Sequence, residues 1–272
     1  MADVETITAE TLKSLRMWRV PVDPYLIAKE EGIELAPGEY GQGFDARIEF
    51  IPSAKKFILF FKSPGAGRTE GRVRFSLAHE LGHYYIASHR EYLLRGNNHN
   101  SVADFRSKDP REAEADEFAA SLLMPHELFA GELKVRRLQN CTLRDLRRLA
   151  DEVFKTSITS TVRRYCQFDW EACAMIVSKA GRVVWAFHSQ SMRAIGMSFV
   201  AGGTAVANTT PTAKLLGKLK GADDAFAEGE VDAEIWYERP YRRHLWEEAM
   251  PLGNTGMILT FLVHDDTDHD DD

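Results

Sequence analysis

The sequence is most informative first for what it lacks. No apolar run approaches the roughly 18–20 residues that a helix needs to cross a bilayer. The stretch Met1 to Val20 has no apolar core of the kind a secretory signal carries. The three cysteines, Cys141, Cys166 and Cys173, are odd in number and include no C-x-x-C pair. That pattern argues against a disulfide framework and sets a reducing cytoplasm as the expected location. No internal repeat is visible, which removes solenoids and propellers. An excess of basic charge is missing as well. The acidic end His264 to Asp272 holds six Asp and no Lys or Arg; without those six, the net charge of −7 becomes −1 on the remaining 263 residues. A near-neutral body is not the footprint of a general nucleic-acid binder. The end itself reads as a solvated, disordered tail rather than a cation trap.

What remains is ordinary soluble composition, 44% hydrophobic and 28% charged over 272 residues, enough for about two domains. The first third reads as helices at 8–18 and 24–31, a short strand at 33–36, and two strands, Ala46 to Ile51 and Lys56 to Phe61, closed by a Pro52-Ser53-Ala54 loop. A helix at about Thr69 to Ser88 follows, then an irregular stretch from Arg90 to Asp109. A strongly helical run from Arg111 stops at Pro125, where the missing N–H ends a helix. Helices are expected at 127–139 and, as a pair broken near Lys155-Thr156-Ser157, over 142–164. Composition then shifts to strands at 172–177, 182–187, 235–237 and 255–263, with a short helix near 212–219.

The chemistry concentrates in Leu77-Ala78-His79-Glu80-Leu81-Gly82-His83. Histidines four apart share one helical face a turn apart, so both can reach one metal ion while the Glu between them approaches a water. The bland alternative is two surface histidines on a helix. A catalytic zinc site usually has three protein ligands. The Gly-x-x-His continuation that would supply a third histidine is absent, so a carboxylate from a second helix is needed. Glu112, Ala115, Asp116 and Ala119 lie at i, i+3, i+4 and i+7, one face of the helix, with two alanines small enough to let it approach. Glu112 is the candidate third ligand, against the bland reading of a helix-start carboxylate. Asp116 is the candidate partner for the second nitrogen of a ligand histidine. Glu114, Glu117 and Ser121 are read as solvent-facing. His89, too far along a continuous helix, and His99, in a loop, are rival ligands. Gly82 is read as leaving room beside the ion. With zinc acidifying a water, Glu80 is the candidate base; Tyr84, Tyr85, His99 and Arg106 are candidates for stabilising the oxyanion.

The two motifs, His79-Glu80-x-x-His83 followed by Glu112-x-x-Ala115-x-x-Phe118-Ala119-x-x-Leu122-Leu123-Met124-Pro125, resemble the ImmA/IrrE family of metallo-endopeptidases over roughly residues 20–165. The resemblance implies zinc held by His79, His83 and Glu112, with Glu80 as catalytic base; a His/His/Glu set also takes Mn²⁺ or Fe²⁺, as availability decides. It implies cleavage or inactivation of a helix-turn-helix repressor of the XRE type, often encoded nearby, and so derepression of stress-response or mobile-element genes. The expected fold is α+β: a zincin-like peptidase domain with a small sheet and active-site helices over 1–128, a helical, helix-turn-helix-like region over 129–168, a small mixed α/β, GAF-like domain over 169–263, and the tail at 264–272. Two rivals stand beside the peptidase. One is a DNA-binding regulator using the basic segment 142–165, with Arg144, Arg147, Arg148, Lys155, Arg163 and Arg164. The other is a toxin–antitoxin partner with a vestigial metal site.

Overall fold

The computed structural model describes residues 3–41, 44–65, 69–97, 109–138, 140–216, 225–237 and 243–264. The chain divides into two compact units. The first takes Met1–Gln139 and Arg148–Ser160; the second takes Asn140–Arg147 and Thr161–Asp272. The helical residues 129–168 are therefore shared between the two.

In the first unit, α1 (Val4–Ser14) starts where Asp3 accepts from the Thr6 N–H, so it begins and ends about four residues before the expected 8–18. Helix α2 (Pro24–Glu30) is capped by Asp23. Strands β1 (Glu34–Pro37), β2 (Ala46–Ile51) and β3 (Lys56–Phe61) form a sheet in the order β1-β3-β2. β1 runs parallel and β2 antiparallel to the central β3.

Helix α3 (Glu70–Tyr85) is the centre of this unit. The Thr69 side chain caps it, and every residue from Val73 to Tyr84 is buried. A helix buried on all sides is ordinarily apolar throughout. Here it also carries His79, Glu80 and His83, each under 4% exposed, so these polar groups must find partners inside. The helix does not run on to Ser88. Ile86 adopts an extended conformation, and α4 (Ala87–Leu94) restarts from it, its first N–H groups bonding the Ile86 carbonyl. Residues 90–94, expected to be irregular, are helical.

Helix α5 (Pro110–Leu123) packs along α3. Asp109 caps it, Pro110 occupies its first turn and Pro125 follows its end. Its contact with α3 explains Gly82: a Cβ there would stand 3.1–3.3 Å from Phe118 Cβ and the Ala115 backbone. Gly82 thus serves helix–helix approach rather than room beside an ion. Ser121, expected at the surface, is fully buried, its Oγ donating to Glu5 of α1 at 3.0 Å. Helix α6 (His126–Arg136) and a π-helical turn, Leu149–Phe154, complete the unit; Phe129 stacks on Phe154.

The second unit holds α7 (Leu143–Arg148, as far as Arg147), most of α8 (Ile158–Phe168) and a five-stranded antiparallel sheet. The strands are β4 (Cys173–Lys179), β5 (Arg182–His188), β6 (Ala227–Asp232), β7 (His244–Pro251) and β8 (Met257–His264), ordered β5-β4-β8-β7-β6. Two short helices, α9 (Gln190–Ala194) and α10 (Pro211–Leu216), flank it. Ala174, Ile176, Val183, Leu245 and Leu262 build the core with Met192 and Met197. Residues 235–237, expected to be a strand, lie at the end of a 3₁₀ turn (Ala233–Ile235) instead.

Strands β6 and β7 defeat the usual pattern. β6 is an edge strand whose Glu228, Glu230 and Asp232 give it the charged look of a loop. β7 places Glu247 and Glu248 in the interior. Glu247 accepts from the Thr212 N–H and hydroxyl, both at 2.7 Å, and from Trp236 Nε1 at 2.8 Å. Glu248 accepts from the Leu143 N–H.

His188, at the end of β5, is 4% exposed, and its Nε2 has no hydrogen-bond partner among the described residues. Burial, with a smaller contribution from the Arg193 charge, pulls its pKa down to about 4. Between that value and the ~6.5 of an unfolded histidine, the unfolded chain binds the extra proton. The stabilisation is therefore whole above pH ~6.5, declines as pH falls to about 4, and amounts to about 3 kcal/mol. Burial raises the pKa of Glu171, Glu247 and Glu248, which pushes the opposite way. The check is thus a difference: denaturant unfolding at pH 5 and pH 7, in which His188→Phe loses less stability on acidification than the parent chain.

Candidate metal centre

Three side chains from two helices converge. His79 and His83 of α3 bring their Nε2 atoms to 3.2 Å from each other. From α5, Glu112 Oε2 lies 3.2 Å from His79 Nε2 and Glu112 Oε1 lies 3.5 Å from His83 Nε2. These three are the one group of metal-capable side chains found among the described residues. Their separations fit an ion: a tetrahedral site with bonds of about 2.0–2.1 Å has ligand–ligand edges of about 3.3–3.4 Å. Both imidazoles are buried and present the same nitrogen, and the carboxylate is mostly buried. The donor set of two nitrogens and a carboxylate suits zinc.

The surroundings explain how the histidines hold this pose. Asp116, one turn after Glu112, places Oδ1 2.8 Å from His79 Nδ1. With an ion at Nε2, the Nδ1–H donates to that carboxylate. Without one, the site takes up a proton instead. Burial works to lower the His79 pKa, but the bonds to Asp116 and Glu112 and the charge of Glu80 outweigh it and push the value up to about 10. Metal and proton therefore compete for the same nitrogen.

Glu80 is fully buried, and its Oε2 accepts from the Ile48 N–H of β2 at 2.9 Å. The sheet thus sets the orientation of the carboxylate. The hydroxyls of Tyr84 and Tyr85 donate to Glu31, the residue after α2, at 3.0 and 2.9 Å, so neither serves as expected for an oxyanion. His99 and Arg106 lie outside the described residues.

His89 is not among the converging ligands, but it lies much closer to them than a continuous helix allows. On a continuous helix it would stand about 9 Å farther along the axis than His83. The break at Ile86 folds it back, so that its Nδ1 lies 3.2 Å from His83 Nδ1 and its Nε2 lies 3.0 Å from Glu114 Oε2. His89 is fully buried and is a neighbour of a candidate ligand rather than a rival to it.

Residues 66–154 match the family model described as the IrrE N-terminal-like domain, a peptidase domain. This segment belongs to the ImmA/IrrE family. The IrrE-like segment contains α3, α4 and α5, hence all three converging side chains. No curated protein matches the chain. Among solved structures, one described as a Mycobacterium tuberculosis transcriptional regulator resembles it in fold, with a TM-score of 0.62 at 12% identity, over 97% of this chain and 77% of that one. No helix among the described residues is long and apolar enough to cross a membrane.

Proposed function

We propose that this protein is a zinc-dependent endopeptidase, with His79, His83 and Glu112 as the metal ligands and Glu80 as the base. The observation that carries the reading is the convergence of two imidazole Nε2 atoms and one carboxylate at tetrahedral spacing, beside a buried glutamate. When bound, zinc supplies a Lewis acid that acidifies water and polarises a carbonyl; Mn²⁺ or Fe²⁺ can fill the same donor set where they are more available. Glu80, held by the Ile48 N–H, takes the proton of the attacking water and returns it to the leaving amine. Asp116 keeps the His79 Nδ1–H satisfied and its Nε2 turned inward.

The substrate we propose is a helix-turn-helix repressor of the XRE type, whose loss derepresses stress-response or mobile-element genes in the cytoplasm. Family resemblance supports that target. The odd number of cysteines and the lack of any C-x-x-C pair support the compartment. We assign a zincin-like peptidase domain to 1–128, a helix-turn-helix-like connector to 129–168, a GAF-like domain to 169–263 and a tail to 264–272.

Direct DNA binding is the second reading, favoured by the basic run and by the name of the similar regulator. Three of its arginines are engaged on rings within their own unit: Arg144 on Phe226, Arg163 on Phe187 and Arg164 on Phe168. That weakens the case for a phosphate-contacting surface. The deciding experiment incubates the zinc-loaded protein with a co-encoded repressor and follows the fragments by mass spectrometry. Metal-dependent cleavage is expected. Absence of stoichiometric zinc in the purified protein, or tight, sequence-selective duplex binding without cleavage, sinks the peptidase reading.

A further inference from the structure

We propose that His89, backed by Glu114, is the positioning residue that holds His83 in the tautomer and orientation required of a metal ligand. The inference rests on reading His79, His83 and Glu112 as a metal site. His79 has a carboxylate directly on its Nδ1, namely Asp116. His83 has an imidazole in the corresponding place: His89 Nδ1, at 3.2 Å. His89 in turn places Nε2 at 3.0 Å from Glu114 Oε2.

Only one proton arrangement satisfies all of these bonds when His83 Nε2 faces an ion. His83 must then carry its proton on Nδ1 and donate it. His89 must accept at Nδ1, and so carries its own proton on Nε2, which donates to Glu114. Glu114 thereby selects the tautomer of His83 through an intervening ring. Helix α5 accordingly serves the site three times: Glu112 directly, Asp116 through His79, and Glu114 through His89. The break at Ile86 has a purpose in this scheme, since it brings His89 beside His83.

The two histidines are not equally supported. Asp116 is 11% exposed and Glu114 is 52% exposed. The His83 side is thus the one whose end carboxylate is open to solvent, and the ring of His89, fully buried, carries most of the orienting role.

The test measures zinc affinity of the full chain by competition with a chromophoric chelator, with folding followed by circular dichroism. His89→Phe, which keeps a ring and removes the acceptor, is expected to bind zinc about 10–100-fold more weakly, the usual consequence of losing an outer partner. His89→Asn, which returns an acceptor oxygen near the Nδ1 position, is expected to recover much of that loss. Glu114→Leu, which removes the acceptor altogether, is expected to weaken binding about tenfold, and Glu117→Gln, on the exposed side of α5, to change nothing. In long-range ¹H–¹⁵N spectra of the zinc-loaded parent, His89 is expected as the Nε2–H tautomer. Parent-like affinity in His89→Phe, or equal loss in His89→Asn and His89→Phe, overturns the proposal while leaving the metal site standing. A parent chain that binds no zinc overturns the site and this inference together. Should His89→Phe fail to fold, Glu114→Leu decides, because the Glu114 side chain is half exposed; parent-like affinity there overturns the proposal.

Discussion

Glu80→Gln is expected to retain zinc at the parental stoichiometry and to lose about 10²–10⁴-fold in turnover. The substitution is nearly isosteric. A Gln amide oxygen can still accept from the Ile48 N–H, so the side chain keeps the orientation that β2 imposes. What disappears is the ability to take a proton. The same change removes a negative charge that helps raise the His79 pKa to about 10. That charge attracts a dication at least as strongly as a proton, so a modest loss of zinc affinity is expected, while a site with its three ligands intact still fills when zinc is in excess. Metal content by atomic absorption and cleavage of the proposed repressor substrate measure the two halves separately. Equal turnover by parent and variant would remove Glu80 from the chemistry. A joint loss of metal and activity would instead make it part of the metal-holding structure.

How much of this site could be read before the fold was known depends on how local each signal is. The pairing of α3 with α5 was legible because both helices carry their information at spacings of three and four. Glu112, Ala115, Asp116 and Ala119 share a face by arithmetic alone, and the structure places Glu112 and Asp116 against the two histidines. Gly82 was legible as unusual but not in its cause, because the atoms it must admit, Phe118 Cβ and the Ala115 backbone, are more than thirty residues away. His89 was misplaced because Ile86 is neither Gly nor Pro. Nothing in its chemistry announces an extended residue between two helices, and without the break His89 falls out of reach. In the second unit β7 was missed for a related reason. A Glu-Glu pair inside a strand looks like surface until Thr212, Trp236 and Leu143, from distant parts of the chain, are seen to satisfy it. The α+β class was readable from element order; the charged strands that complete the larger sheet were not.

Glu112→Ala is expected to have the largest effect on metal affinity of any single change on α5. Loss of a partner that only orients a ligand costs about 10–100-fold in affinity; loss of a ligand itself should exceed about 100-fold. The helix should survive the substitution, because Asp109 still caps it, Pro110 still starts it and the Ala115, Phe118 and Ala119 face still packs on α3. Removing a first-turn carboxylate sacrifices about 0.3–1 kcal/mol of interaction with the helix dipole. The two consequences are therefore separable by melting with and without zinc. An ion present at 100 times its dissociation constant stabilises the native state by about 2.7 kcal/mol. The parent chain should show that gain, while Glu112→Ala, at the same zinc concentration, should show almost none; without zinc it should melt below the metal-free parent, because buried His79 loses one of its two carboxylate partners. Asp116→Asn should fall between them, since it keeps all three ligands and weakens only the support of His79. A Glu112→Ala protein that gains as much from zinc as the parent would mean that the ion is held elsewhere, and that the convergence of Glu112 on His79 and His83 is an ion pair of the folded core, with the raised His79 pKa as its sign.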